Sequence, residues 1–334
     1  MTVNAGFPAV RMRRLRQSPL LRELITETEL SVKDFILPLF VKTGQKIRQE
    51  IASMPSCYQL SPDCLIDEVR SAVSLGIHSF ILFGIPDRKD PEGRSALDPE
   101  EIIPTALRLL RKEFGHSIYL ITDECFCEYT DHGHCGIMSP HQDRLDVDND
   151  ATLPLLVEQC LVHVRAGADM VAPSGMLDGM IQAIRKGLDN QGFSHIPILS
   201  YSAKYASGFY GPFRDAAESP PQFGDRGGYQ MNCANRREAI RETALDVMEG
   251  ADLLMVKPAL SYLDIIYQIR EEFQLPLVAY NVSGEYAMVK AAAKMGWIDE
   301  KRVTLEILKS IKRAGADLII TYHAQSAARW LKDL

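Results

Sequence analysis

Three cysteines, Cys125, Cys127 and Cys135, lie within a stretch of eleven residues. In an extended segment Cys125 and Cys127 point to the same side, and a loop through Gly133 and Gly136 can return Cys135 to them. Three thiolates with one open coordination position form a zinc site that can bind substrate or water. The spacing therefore predicts a catalytic zinc ion.

Two alternatives to a catalytic zinc ion stay open for this cluster. His132 or His134 could supply a fourth ligand, which would make the site structural. The three thiols could also be reduced and unligated, because C-x-C followed by a third cysteine is a pattern of moderate specificity.

Two lysines end apolar segments of the chain, Lys257 after 253–256 and Lys204 after 201–203. Burial and a second cation nearby both lower the pKa of an amine, and a neutral amine forms an imine with a ketone or aldehyde. If the two segments are adjacent strands, we expect a Schiff-base lysine. The alternative for one such lysine is a side chain that reaches outward to a carboxylate.

The segment from Tyr205 to Asn235 is polar and rich in glycine, proline and aromatic residues, and it contains Arg214, Arg226 and Gln230. We predict a long loop without regular structure, which is typical of an active-site lid. Arginines in such a lid can clamp a carboxylate with two hydrogen bonds. The alternative for either arginine is a solvated surface position.

The elements that position these residues alternate between short apolar runs and amphipathic segments. The predicted strands are 35–41, 79–84, 119–125, 170–173, 197–203, 253–257, 277–282 and 318–322. The predicted helices include 100–114, 153–166, 236–249, 261–273, 286–295 and 304–314. Continuous apolar strands separated by helices indicate a parallel sheet that is covered on both faces.

The tripeptide Gly-Ala-Asp recurs at 167–169, 250–252 and 315–317, each time between a predicted helix and a predicted strand. Glycine suits the left-handed position just after a helix end. Eight strands joined in this way favour an α/β fold of the (βα)8 TIM-barrel type. The alternative is an open doubly wound sheet, but no G-x-G-x-x-G follows the first strand.

Polar residues follow several of the predicted strands, where a (βα)8 barrel carries its chemistry. Together they predict one polar crater on one face of the barrel. These residues are Asp123, Cys125, Ser174, Lys204, Lys257, Ser283, Tyr322 and His323.

The 334 residues are 46% hydrophobic, which suffices for one large core, and the net charge of −7 argues against a nucleic-acid partner. No apolar run is long enough to span a bilayer, and the N-terminus lacks the apolar region of a secretory signal. We therefore expect a cytoplasmic protein with reduced thiols and no membrane partner. The basic stretch at 11–16 is expected to be a solvated arm or a subunit contact, with a transit peptide as the alternative.

Together these segments closely resemble the porphobilinogen synthase (5-aminolevulinate dehydratase) family, from Arg13 to Trp330. The resemblance implies a (βα)8-barrel enzyme that condenses two 5-aminolevulinate molecules to porphobilinogen, with loss of two waters, in heme and other tetrapyrrole biosynthesis. The motifs that carry it are 125–130 with 132–136, 201–207, 209–216, 229–232 with 234–239, 255–258 and 282–285.

The resemblance also implies roles for individual residues. Lys257 resembles the lysine that forms the Schiff base with the first substrate, and Lys204 resembles the lysine of the second substrate site. Asp123 and Ser174 are similar to the polar partners of that second lysine. Two further sets resemble the residues that hold the substrate carboxylates: Ser283 and Tyr322 for the first substrate, and Arg214, Arg226 and Gln230 for the second.

For metals and assembly, the resemblance implies catalytic zinc at Cys125, Cys127 and Cys135, and an allosteric magnesium ion at Glu242. It implies a chain with two parts, an N-terminal arm of residues 1–30 and a barrel domain of residues 31–334. It also implies a homo-octamer in which the arm of one subunit wraps around a neighbouring subunit. The chain departs from the family pattern after the fourth strand. Gly175 stands where the family commonly has aspartate, and Met180 where it has arginine.

Two competing functions remain on the sequence alone. A class I aldolase shares the fold, but it uses one Schiff-base lysine and needs no zinc. A thiol-based metal or redox sensor would explain the cysteines, but it gives no reason for two lysines at adjacent strand ends.

Overall fold

A computed structural model of the chain describes residues 6–141 and 144–332. Eight parallel strands form the centre of the fold, and each predicted strand is confirmed with its ends shifted by two residues at most. They are β1 (Phe35–Lys42), β2 (Ser79–Ile85), β3 (Tyr119–Glu124), β4 (Met170–Pro173), β5 (Leu199–Lys204), β6 (Leu253–Lys257), β7 (Leu277–Asn281) and β8 (Leu318–Thr321).

The strands close into a barrel. Hydrogen-bonded neighbours run in the order β4, β3, β2, β1, β8, β7, β6, β5. A parallel bridge between Val171 in β4 and Ile198, just before β5, then joins the two ends. The (βα)8 prediction is confirmed, and the open doubly wound alternative is wrong.

Helices surround the barrel, and the predicted helices are confirmed. In chain order they are α1 (Pro19–Leu24), α2 (Pro62–Ser74), α3 (Ile102–Phe114), α4 (Asn149–Ala166), α5 (Met180–Asn190), α6 (Gly211–Ala216), α7 (Arg237–Glu249), α8 (Leu263–Glu272), α9 (Ser283–Lys294), α10 (Glu300–Ala314) and α11 (Ala324–Lys332). Both α4 and α10 begin four residues before the predicted start. Their first turns are held by the side chains of Asp148 and Asp299, which accept backbone N–H bonds.

The three Gly-Ala-Asp joints share one structure. Each glycine ends a helix at positive φ, with +112° at Gly167, +102° at Gly250 and +121° at Gly315. The aspartate of each joint then accepts a hydrogen bond from the backbone of a neighbouring strand region: Asp169 from Leu120, Asp252 from Ile198 and Asp317 from Leu277, at 2.7–2.8 Å. The tripeptide therefore ends a helix and also fixes where the adjacent strands start.

Apolar side chains pack in two layers. Along β1, Ile36 and Phe40 lie inside the barrel, whereas Leu37 and Leu39 face the helices. This alternation follows from the two-residue repeat of a strand. Most of the barrel interior is therefore filled, and polar groups collect where the strands end.

Two short hairpins lie outside this pattern, and neither was predicted. Arg48–Glu50 pairs with Tyr58–Leu60, and Met138–His141 pairs with Arg144–Val147. The N-terminal segment is also separate, because residues 6–20 are exposed throughout. Among the described residues, no helix has the length and apolar character needed to cross a membrane.

Candidate active site

Lys204 and Lys257 occupy paired positions at the carboxyl ends of β5 and β6. Both side chains are buried and line one cavity at the mouth of the barrel. The structure therefore brings the two sequence-predicted lysines together. The whole lining comprises Asp123, Cys127, Glu128, Ser174, Lys204, Tyr210, Phe213, Arg214, Arg226 and Lys257.

Aromatic rings surround the amine of Lys257. Its Nζ lies 4.4 Å from the ring centre of Tyr280, 5.0 Å from Tyr201, 5.1 Å from Phe213 and 5.4 Å from Tyr210. Burial in this site, together with the charge of Lys204, lowers the pKa of Lys257 to about 7. A large fraction of the amine is therefore neutral near pH 7, as imine chemistry requires.

Asp123 and Ser174 lie beside Lys204. The Lys204 Nζ donates to the Ser174 carbonyl oxygen at 2.5 Å, and the Ser174 hydroxyl donates to Asp123 Oδ2 at 3.0 Å. Burial raises the pKa of Asp123, although the charges of Lys204 and Lys257 oppose the rise. These polar groups thus form one connected set at the ends of β3, β4 and β5.

The three predicted zinc-ligating cysteines form a compact group. Their sulfur atoms lie within 4.8 Å of one another, and all three side chains are buried. Gly133 makes the turn that returns Cys135, at a φ of +71°, and a Cβ there would lie 2.6 Å from the Pro220 carbonyl oxygen. Sulfur ligands suit zinc, and three of them leave a fourth position open.

The sulfur atoms cannot all be charged without a cation. The thiols of Cys125 and Cys127 are 3.4 Å apart. Hydrogen bonds from these two lower the pKa of Cys135, whereas hydrogen bonding to Cys127 and Cys135 raises that of Cys125. A bound divalent cation would stabilise all three thiolates.

His132 and His134 lie next to the cysteines, but their ring nitrogens are engaged elsewhere. The Nε2 of His134 is 3.0 Å from the Phe223 carbonyl oxygen, and its Nδ1 is 3.1 Å from the Tyr229 hydroxyl. The Nδ1 of His132 accepts from the His134 backbone, and its Nε2 lies 3.1 Å from the Pro91 carbonyl oxygen. This geometry gives no support to a histidine as the fourth metal ligand.

Glu128 is a site residue that sequence reasoning did not single out. It is buried, and the Cys127 thiol donates to its Oε2 at 3.1 Å. Burial raises its pKa well above the ordinary value. With Asp123 and Cys125 it forms a second compact group of potential metal ligands. The signal in the sequence was a carboxylate directly after a thiol at a strand end.

The predicted carboxylate clamp is only partly assembled around the lysines. Arg214 and Arg226 line the cavity, but Gln230 does not, and it lines a neighbouring acidic cavity instead. Arg226 is buried and donates to the carbonyl oxygens of Gly133 and Ser219 at 2.9 and 3.0 Å. Among the described atoms, the Nε of both arginines and both amide atoms of Gln230 are buried without a hydrogen-bond partner.

The segment from Tyr205 to Asn235, the predicted lid, is more regular than expected. It contains a 3-10 turn, Gly208–Tyr210, followed directly by the short helix α6. The prediction of a loop without regular structure is wrong for these residues. Pro212 lies in the first turn of α6, where proline is favourable, so the proline content of the segment does not exclude a helix.

Ser283 and Tyr322 contact two of the aromatic residues that surround Lys257, on the side away from the lysine. The Ser283 hydroxyl accepts from the Phe213 backbone N–H at 2.9 Å, and the Tyr322 hydroxyl lies 2.9 Å from that of Tyr280. Each of the two residues therefore reaches the lysine through one intervening aromatic residue.

Glu242 lies apart from the lysines, on α7. It lines an acidic cavity, and burial together with the charge of Asp178 raises its pKa. Oxygen ligands of this kind suit magnesium, which keeps several water ligands. The other acidic residues of the cavity are Asp146, Asp148, Asp150, Asp178 and Glu238. Within the described ranges, however, the compact groups of three potential ligands lie at the cysteines and not at Glu242.

Comparison with known proteins agrees with this geometry. The family model for delta-aminolevulinic acid dehydratase matches residues 9–330. Proteins of that name from Synechocystis and Bacillus subtilis are 55% and 54% identical, over 98% and 97% of this chain and 100% and 98% of theirs.

A solved structure is also very similar to the chain. It is the Toxoplasma gondii delta-aminolevulinic acid dehydratase (porphobilinogen synthase) in complex with the reaction product porphobilinogen. It superposes with a TM-score of 0.94 at 44% identity, over 97% of this chain and 92% of that one. The chain belongs to the delta-aminolevulinic acid dehydratase family of enzymes.

Proposed function

We propose that the chain condenses two molecules of 5-aminolevulinate to porphobilinogen, with loss of two waters, as a step of tetrapyrrole biosynthesis. The observation that carries this proposal is the pairing of Lys204 with Lys257 in a buried cavity that also contains Cys127. The product bound in the Toxoplasma gondii relative supports the choice of reaction.

Lys257 is the nucleophile of this scheme. Its neutral amine attacks the ketone carbon of the first substrate, a carbon–nitrogen bond forms, and the ketone oxygen leaves as water to give an imine. The rings of Tyr201, Tyr210, Phe213 and Tyr280 exclude bulk water from that imine. Ser283 and Tyr322 take the carboxylate of the same substrate after a small rearrangement of the wall.

Lys204 serves the second substrate. Its charge helps to keep Lys257 neutral, and its amine can form an imine of its own. Asp123 and Ser174, which are hydrogen-bonded to each other, hold and return a proton beside that amine as the new bonds form. The ketone oxygen of the second substrate leaves as the second water when the amino group of the first substrate bonds to that carbon. The Lys257 amine is expelled once the new carbon–carbon bond has formed, and a final proton removal gives the aromatic pyrrole ring.

Cys125, Cys127 and Cys135 are the residues that would hold zinc, because their sulfur atoms form a compact set. The bound ion would supply a Lewis acid that polarises and orients the second substrate. Arg226 ties the lid to the cysteine loop through Gly133. Movement of the lid would therefore change the position of the loop that carries the metal ligand Cys135.

Arg214, Arg226 and Gln230 take the carboxylate of the second substrate. Their buried nitrogen atoms without partners would gain one from an anionic ligand. Gln230 must turn from the acidic cavity toward the lysines to take part. Closure of the lid over both substrates would bring these three residues together and exclude water.

We further propose that magnesium binds at Glu242 as an allosteric activator, through the oxygen atoms of the acidic cavity and water. Glu242→Gln should abolish stimulation of the wild-type rate by Mg²⁺ and leave zinc content unchanged. A variant that responds to Mg²⁺ as the wild type does would contradict this assignment.

The proposed assembly is a cytoplasmic homo-octamer in which residues 1–30 form an arm and 31–334 the barrel domain. Three apolar side chains of the arm, Phe7, Leu20 and Leu24, are each more than three-quarters exposed. Such a segment gains burial when it lies on another subunit. Deletion of residues 1–30 should convert octamers to smaller species in light scattering, and unchanged octamers would contradict the role of the arm.

A colorimetric assay for the pyrrole product, with 5-aminolevulinate as the sole substrate, tests the function directly. We expect pyrrole formation that a zinc chelator abolishes and added zinc restores. A class I aldolase would form no pyrrole and would tolerate the chelator. A thiol sensor would bind zinc without turnover, so either outcome would contradict the proposal.

A further inference from the structure

The strand that carries Lys204 contains a bulge. Leu254 of β6 pairs with Ser200, but Val256 pairs with Ala203, so that two residues of β5 stand opposite the single residue Met255. Strict alternation would place residues 200, 202 and 204 on one face of the strand. The extra residue reverses the alternation after the bulge.

This reversal turns Lys204 toward the inside of the barrel. Tyr201 packs in the interior layer, whereas Ala203 packs in the outer layer against the helices. Lys204, next in the chain, then lines the cavity with Lys257. In a regular strand Lys204 would face the helices together with Ser200.

One carboxylate of α7 contacts the outer side of the bulge. The Ser200 hydroxyl donates to Asp246 Oδ2 at 2.5 Å, and both groups are buried. Burial raises the pKa of Asp246 to about 6, and hydrogen bonds from Ser200 and Ser202 oppose the rise. Asp246 thus binds the hydroxyl of Ser200 directly, and the Ser202 hydroxyl in turn lies 3.4 Å from the Ser200 carbonyl oxygen.

We infer that Asp246 is a positioning residue: by holding Ser200 against α7, it fixes the bulge of β5 and thereby the inward direction of Lys204. It acts on the reaction through Lys204 and touches no substrate. The inference rests on one step of the proposed function, the formation of an imine by Lys257.

The inference makes the ionisation of Lys257 depend on a residue outside the cavity. Lys204 lowers the pKa of Lys257, so a displaced Lys204 lets that pKa rise. Of the titratable groups that face Lys257 in the described part of the chain, only Lys204 and Tyr201 belong to β5. The others are Asp123, Cys127, Glu128, Tyr210 and Tyr280.

The test is the pH dependence of substrate-dependent borohydride trapping at Lys257 in the full-length, zinc-loaded protein. In Asp246→Ala, we expect the midpoint of the acid limb to move up by about one pH unit, which lowers trapping at pH 7 about fivefold. Asp246→Asn keeps an oxygen that accepts from Ser200 and should restore most of the wild-type profile. Ser200→Ala, which removes one hydroxyl, should shift the midpoint in the same direction even if Asp246→Ala does not fold.

Asp252→Ala is the matched control, because Asp252 also holds the β5 region from outside, at Ile198, but before the bulge. It should leave the midpoint unchanged. A midpoint in folded Asp246→Ala or Ser200→Ala equal to that of the wild type would overturn the role of Asp246. Absence of any substrate-dependent adduct in the wild type would instead overturn the proposed function.

Discussion

Lys204 and Lys257 face each other across the last pair of the ladder between β5 and β6. Two buried amines this close cannot both be protonated at low cost, and the burial of Lys257 favours its neutral form. Lys204 instead donates to a backbone carbonyl oxygen, which suits a protonated amine. The pair therefore divides the roles of nucleophile and cation between two residues of the same type.

Replacement of Lys204 should shift the pH dependence of Lys257. Burial and the positive charge of Lys204 together lower the pKa of Lys257 from 10.5 to about 7. Lys204→Met removes the charge and leaves the burial. Activity on the acid side rises as Lys257 loses its proton, so the acid limb should move to higher pH by about one unit. Residual turnover or imine trapping, measured against pH, gives the midpoint.

Lys204→Arg is the control for charge. It keeps the cation and should leave the midpoint within a few tenths of a unit, while turnover falls because guanidinium forms no imine. A shift in Lys204→Arg as large as that in Lys204→Met would show that charge is not the cause.

Zinc binding should depend on the cysteines and not on the neighbouring histidine. Cys135→Ser should lose most of the bound zinc, since removing one of three thiolates leaves too few ligands. His134→Gln should retain it, because both ring nitrogens of His134 are hydrogen-bonded elsewhere. Metal analysis of the purified proteins after dialysis decides the matter, and zinc loss in His134→Gln would assign a ligand to the histidine.

Substrate affinity should depend on the lid arginines. Arg214→Ala removes a charged donor whose Nε is buried without a partner, so we expect KM for 5-aminolevulinate to rise about tenfold or more. Arg88, which is exposed, offers a control, and Arg88→Ala should leave KM unchanged. Equal KM values for the wild type and Arg214→Ala would exclude Arg214 from the carboxylate site.

The Gly-Ala-Asp joints should contribute to stability. Asp317→Ala removes the acceptor of the Leu277 N–H and a partner of Arg270, which should cost about 1–3 kcal/mol of unfolding free energy. Asp67→Ala breaks an exposed pair with Arg70 and should cost less than about 0.5 kcal/mol. Urea unfolding compares the two, and similar losses would mean that the joint contributes no more than a surface ion pair.

The barrel could be predicted from sequence because each of its strands and helix ends is marked by residues that are adjacent in the chain. Each strand is a short apolar run, and each Gly-Ala-Asp joint marks a helix end that only glycine adopts at low cost. The cysteine group was predictable for the same reason, since Cys125 and Cys127 are two residues apart and Gly133 permits the return. These features depend on few long-range contacts.

Features that depend on long-range contacts were not predictable. Regular alternation along β5 would place Lys204 on the same face as Ser200, and the bulge that reverses this lies beside the contact of Ser200 with α7. Gln230 lines the acidic cavity, in a segment whose Arg226 is bonded to Gly133 of the cysteine loop, a contact between residues 93 positions apart. Glu128 was overlooked because the sequence does not show that Glu128 and Cys127 are both buried and hydrogen-bonded to each other.

Trapping of the imine tests the central claim most directly. The zinc-loaded protein is treated with borohydride in the presence and absence of 5-aminolevulinate, and its peptides are analysed by mass spectrometry. We expect one substrate-derived modification on the peptide that contains Lys257, only when substrate is present, and none at that position in Lys257→Met. Modification of Lys204 alone, or of neither lysine, would contradict the account.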